Sequence, residues 1–174
     1  MILGLDPATT TGFAVWDGTK IVQSGVIDCR EKTCTHRGAM EFGKRLLAGL
    51  NDLPIAVISD VVVENSVAQF LKSKRAIEVQ IGAITIIRLW ASQHNFGYFE
   101  MEPMTIKKEF TGEGKADKKM MLLKAKEYVF RVKDHNEADA IAIAVVGSKI
   151  VQDETPRLLT VDYMKRKYGV NPTI

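Results

Sequence analysis

Apolar and polar positions along this chain follow two periods in turn. Residues Ile2–Asp6 are a short apolar run closed by one acid, the pattern of a buried strand. Thr11–Trp16 and Ile21–Ile27 read as two more strands. Between them, Asp17-Gly18-Thr19-Lys20 carries the Asp-Gly pair that favours a tight hairpin. A second tight turn at Pro7–Thr10 makes the first three strands an antiparallel meander. The period then lengthens. In Arg37–Leu50, the residues Met40, Phe42, Leu46, Leu47 and Leu50 recur at helical spacing. Pro54 breaks the chain; Ile55–Ile58 and Val61–Val63 flank Ser59 and Asp60, and the second run is a buried strand ending at Glu64. From Ala76 to His94 a long helix is marked by Ile77, Ile81, Ile84, Ile87 and Trp90, with Arg88 off the stripe and facing solvent. Tyr98–Met101 is a further strand, closed by Pro103. Lys118–Phe130 and Glu137–Lys149 read as the last two helices.

The order βββ-α-β-α-β-α-α predicts an α/β fold, in which a meander joins parallel strands in one mixed sheet with helices on both faces. A chain of 174 residues fits one domain with a sizeable core. The expected division is a domain over 1–150 and a C-terminal extension over 151–174. A net charge of only +3 implies no global attraction to polyanions, so the cations matter through their clustering at Lys72–Arg75, Lys107–Lys126 and Lys165–Lys167. Cys29 and Cys34 are not spaced as a CxxC pair, and with His36 they are too bunched for a tetrahedral zinc cage. They read as reduced thiols. With no basic leader before the first strand and no apolar run of membrane-spanning length, the expected location is the cytoplasm, without a membrane partner.

Three acids change the picture. Asp6 ends the first strand, Glu64 ends the strand VVVE, and Asp139 lies early in a very apolar helix. If the first and fourth strands are parallel neighbours, Asp6 and Glu64 share one edge of the sheet, where open sheets gather ligands. A helix packed across that edge delivers Asp139 to the same point. Singly, each acid has an ordinary explanation as a turn former, a solvated strand end or a lysine partner. Together they would repel strongly unless a divalent cation neutralises them. An all-oxygen set suits Mg²⁺, with Mn²⁺ able to substitute, and such ions serve phosphodiester hydrolysis.

At these residues the chain resembles the RuvC family of Holliday junction resolvases, within the ribonuclease H-like superfamily. ILGLDPATTTGFAVWD resembles the family's opening strand and hairpin, and VVVEN its strand ending in the second acid. TGEGKADKKMM resembles a GxGxAxK segment before a helix, and NEADAIAIA the closing acidic helix. The four segments occur in the family's order and span about Met1 to Lys149. The resemblance implies a five-stranded ribonuclease H-like sheet, a homodimer, and Mg²⁺-dependent symmetric nicking of four-way DNA junctions that leaves 5′-phosphate and 3′-hydroxyl ends. It implies that Asp6, Glu64 and Asp139 are catalytic metal ligands. A fourth group, Asp or His in the family, falls here on Asn136, which offers a neutral oxygen but no base. His135, four residues before Asp139, is the second candidate. The compact size and this divergent position fit a phage or other mobile-element member.

Lys107, Lys108, Lys115, Lys118 and Lys119 surround a glycine-rich loop ahead of a helix, a setting suited to phosphate. The match at Gly112, Gly114, Ala116 and Lys118 makes Lys118 the candidate contact near the scissile bond. Lys72, Lys74 and Arg75 follow Glu64 closely enough for a loop to reach across DNA. Phe70 in that loop has two readings: a ring that stacks on an unpaired base, or a buried residue at a helix start. The apolar excess of the Ile77–Trp90 helix fits a dimer interface, although core packing also explains it. The rival functions are a ribonuclease H-like nuclease on RNA–DNA hybrids or flaps, and a module that binds branched DNA without cutting. An actin-like ATPase begins with a similar strand and turn but needs two lobes, and this chain has length for one.

Overall fold

The protein is described here by a computed structural model covering residues 1–30, 36–65 and 74–158. Its strands are β1 (Ile2–Asp6), β2 (Thr10–Trp16), β3 (Ile21–Asp28), β4 (Asp60–Glu64) and β5 (Gly97–Met101). Its helices are α1 (His36–Asn51), α2 (Lys74–Gln93), α3 (Pro103–Thr111), α4 (Lys118–Ala125) and α5 (His135–Leu158), with a short 3-10 turn at Ile55–Val57. The strands form one sheet in the order β3-β2-β1-β4-β5. β1 pairs antiparallel with β2 and β2 with β3, whereas β4 runs parallel to both β1 and β5. The mixed five-stranded sheet expected from the pattern is present.

Local chemistry fixes the meander. Asp17 Oδ1 accepts from the backbone N–H groups of Thr19 and Lys20, each at 2.8 Å, and Gly18 takes the positive φ of 105° that an Asp-Gly hairpin requires. The buried Thr11 donates its hydroxyl to the Ala8 carbonyl at 2.8 Å and closes the turn that follows Asp6.

Alternation along each strand divides the core in two. Leu3, Leu5, Val61 and Val63 face α1 and α2, together with Phe42, Leu46, Ile84, Ile87 and Trp90. Ala14, Trp16, Val62, Phe99 and Met101 face α3, α4 and α5. Ala138, Ala140, Ile141, Ala142, Ile143 and Ala144 of α5 are all fully buried, since this helix runs through the middle of its layer.

Several expectations are corrected. Pro103 does not merely close β5: it occupies the first turn of α3, where its missing N–H costs nothing, so Lys107 and Lys108 lie on a helix that leads into the glycine loop. α3 ends at Gly112 with φ 89°, a left-handed cap. α4 stops at Ala125, short of Phe130, because the chain turns so that Tyr128 stacks on Phe110 and meets Trp16 edge-on. Ile81 leaves the buried stripe of α2 and is 57% exposed. Arg88 is solvent-exposed, but it also pairs with Glu100. α5 continues past residue 150 to Leu158, into the segment assigned to the extension.

Candidate active site

The site is built on the central strand pair. The parallel register matches Gly4 with Val62 and Leu5 with Val63, which brings Asp6 level with Glu64 on neighbouring strands. Alternation turns both acids to the side shared by Gly4 and Val62, the side covered by α5. Two glycines then set how closely α5 approaches. A Cβ on Gly12, the partner of Asp6 across the β1–β2 pair, would collide with the Asn136 carbonyl. A Cβ on Gly4 would strike the backbone of Ala140 and Ala144. The first turns of α5 therefore rest backbone to backbone on the strands that present Asp6, and they carry Asn136 and Asp139 to its edge.

The electrostatics register this convergence. Burial pushes the Asp6 pKa well up, the negative charges of Glu64, Asp139 and Asp134 add to it, and Lys118 acts in the opposite sense. Burial and then Glu64 push Asp139 up to about 6, opposed by Lys107, His135 and Lys118. Asp6 and Asp139 both feel the charge of Glu64 and both feel Lys118. The proposed metal ligands Asp6, Glu64 and Asp139 are thus gathered at one edge, with Asn136 and His135 beside them.

The start of α5 is pinned by groups that the sequence did not mark. Asp134 Oδ1 accepts from the Glu137 backbone N–H at 3.0 Å. The Glu137 carboxylate, 2% exposed, reaches back to the Lys133 N–H at 2.6 Å and accepts from Ser24 Oγ of β3 at 2.7 Å. This is a capping box tied to a neighbouring strand. The acid three residues after Asp134 was the available signal; its burial follows from tertiary packing.

Lys118 opens α4 immediately after its cap, Asp117, whose side chain accepts from the Met120 N–H at 2.8 Å. Lys107 projects from α3 closely enough to act on Asp139. Lys108, Lys115 and Lys119 are exposed on α3, the glycine loop and α4. Lys74 and Arg75 belong to the first turn of α2, and their side chains lie outside the description. Phe70 and Lys72 lie outside the described residues altogether.

Among the described residues, no three or more His, Cys, Asp or Glu side chains stand, as placed, close enough together to hold a metal ion. The donor set still fits one kind of ion. Clustered carboxylates of raised pKa, without thiolate, favour a hard divalent cation that keeps water and substrate oxygens in its shell, as Mg²⁺ does.

Comparison with known proteins gives the chain a family. The family model for crossover junction endodeoxyribonuclease RuvC matches residues 2–147. The chain belongs to the RuvC family. Its RuvC relatives include the crossover junction endodeoxyribonuclease RuvC of Wolinella succinogenes, 27% identical over 87% of this chain and 95% of the relative. The RuvC of Gloeobacter violaceus is 30% identical over 84% of this chain and 86% of its own length. The RuvC fold is shared with T. thermophilus RuvC in complex with Holliday junction substrate: TM-score 0.68, 18% identity, covering 88% of this chain and 96% of that one.

Proposed function

We propose that this RuvC-family chain is a metal-dependent endonuclease that resolves Holliday junctions by paired symmetric nicks. The observation that carries the reading is the electrostatic union of Asp6, Glu64 and Asp139 at the edge where β1 and β4 end. Mg²⁺, or Mn²⁺ in its place, bound there supplies Lewis acidity toward water and the scissile phosphate. Asp6, Glu64 and Asp139 hold the cation, with Asn136 ahead of His135 as the fourth group. Lys118 and Lys107 balance negative charge at the same edge, where the phosphate would lie. Lys108, Lys115 and Lys119 bind the DNA backbone farther out. Lys72, Lys74, Arg75 and Phe70, which follow Glu64 in the sequence, add to that grip.

A homodimer places two such sites on the two strands to be cut. The exposed Met40 and Leu47 of α1, and Ile81 and Leu89 of α2, favour this assembly, because α1 and α2 pack together and carry these apolar side chains to solvent. Among the described residues no helix is long and apolar enough to cross a membrane. We assign the work to the bacterial or phage-infected cytoplasm. Residues 1–150 act as the nuclease domain and 151–174 as its extension.

The test offers purified protein a synthetic four-way junction, a flap and an RNA–DNA hybrid, in Mg²⁺ and in EDTA. Paired symmetric nicks confined to the junction and abolished by EDTA are expected. Preferential cutting of the hybrid or flap would replace the reading with a ribonuclease H-like one. Binding without cutting in Mg²⁺ and Mn²⁺ would make the protein a branched-DNA binding module.

A further inference from the structure

On the opposite face of the sheet, behind the acids, Glu100 of β5 gathers donors from three elements. Arg88 of α2 donates through Nε at 3.0 Å and again through its Nη2 group. The Tyr98 hydroxyl donates at 2.8 Å to the same oxygen, Oε1. The other oxygen, Oε2, accepts from Asn65 Nδ2 at 2.6 Å. Asn65 directly follows Glu64, and its backbone N–H donates to the Met101 carbonyl at 2.9 Å, carrying the β4–β5 ladder one residue past the strand end.

The placement answers a mechanical problem. Glu64 is the last residue of β4, and strand ends open at little cost. The parallel register sets Asp6 beside it on β1, and two ionised carboxylates on neighbouring strand ends repel whenever no cation lies between them. A tether on the residue just beyond Glu64, anchored on the far face of the sheet, opposes that push without adding charge among the acids. Arg88 and Tyr98 both donate to Oε1, and these charge-assisted bonds hold the Glu100 carboxylate with Oε2 turned toward Asn65. We propose that Asn65, held by Glu100 and Arg88, is a positioning residue that keeps Glu64 in metal-binding register. The inference rests on the metal-site reading above and adds residues that touch neither cation nor substrate.

The test measures Mn²⁺ affinity by titration calorimetry without DNA, alongside junction cleavage and thermal stability. Asn65→Ala leaves the Arg88–Glu100–Tyr98 contacts in place and cuts the tether. It is expected to weaken Mn²⁺ binding about tenfold and to lower the kcat of cleavage by a similar factor, with KM for the junction within about twofold. Glu100→Gln keeps an acceptor but loses the Arg88 charge pairing, and is expected to fall between wild type and Asn65→Ala. Tyr98→Phe removes a Glu100 donor on the side away from Asn65. It is expected to lower Tm slightly and to leave Mn²⁺ affinity within about twofold. Unchanged Mn²⁺ affinity in Asn65→Ala and Glu100→Gln, or an equal loss in Tyr98→Phe, overturns the proposal. Should Asn65→Ala fail to fold, the contrast between Glu100→Gln and Tyr98→Phe decides it. A wild-type protein that binds Mn²⁺ but leaves the junction uncut defeats the Holliday junction reading and leaves this one standing; a wild type that binds no Mn²⁺ defeats this one.

Discussion

The two faces of the sheet solve different problems. Toward α1 and α2 the sheet presents Leu3, Leu5, Val15, Val61 and Val63, and large side chains such as Leu46, Ile87 and Trp90 fill the space between layers. Toward α5 the facing positions on β1 and β2 include Gly4, Gly12 and Ala14, and the helix answers with Ala140 and Ala144. Bulky layers bury more area and can adjust by changing rotamers. Backbone-to-backbone contact buries less but leaves no slack, so it fixes where Asp139 stands relative to Asp6. The acids project on the stiff side.

The strongest challenge to that division is Asp6→Asn. Cleavage is expected to fall by about a hundredfold or more, junction binding in EDTA to persist, and the metal-free protein to gain thermal stability as a buried repelled charge disappears. Retained cleavage would remove Asp6 from the site. On the adjustable face, Ile87→Ala is expected to cost about 2–5 kcal/mol in urea unfolding. The protein still folded at low temperature should cut at nearly the wild-type rate. On the stiff face, Gly12→Ala is expected to cost as much, about 3 kcal/mol or more, and to lower the cutting rate of the folded molecule more than Ile87→Ala does. The reverse ranking of cutting rates would break the comparison.

A pH titration sharpens it further. The native protein holds the Asp139 proton more tightly than the unfolded chain, with a native pKa of about 6. The metal-free native state therefore loses stability as pH rises from about 4 through about 6, and this contribution levels off above that. Asp139→Asn should flatten this part of the profile by about 1–3 kcal/mol, and saturating Mg²⁺ should oppose the loss. The smallest expected effect is that of Asn136→Asp. A carboxylate beside the cluster should lower the Mg²⁺ concentration for half-maximal cutting a few-fold and slightly reduce metal-free stability. An unchanged Mg²⁺ requirement, with a changed one in His135→Ala, would transfer the fourth role to His135.

Much of this was legible in the order of residues, because some chemistry is local. The Asp17-Gly18 hairpin and the acids at the ends of two apolar runs speak through neighbours within a few positions. α3 was hidden because proline both ends strands and begins helices, and the choice depends on Ile106 and Phe110 finding a core to enter. The network at Glu100 was hidden for another reason. Arg88 and Glu100 occupy ordinary surface-type positions in their own elements, and only the packing of α2 over β5 makes them partners. Gly4 and Gly12 gain their role only where α5 is laid across them. Tertiary contact gave each of these its meaning.

The placement of β1 has a consequence for how the protein comes into being. This strand precedes its parallel neighbour β4 and the covering helix α5 by many residues of chain. Neither contact can form by local collapse, and bringing such distant segments together is the slow part of building a sheet. A nascent chain therefore carries Asp6 long before it has a site for Asp6 to join. In the proposed reading, affinity for the cation would arise only with the finished topology, so the ion would act as a latch on the completed fold and the capacity to cut DNA would be withheld from every partly made molecule.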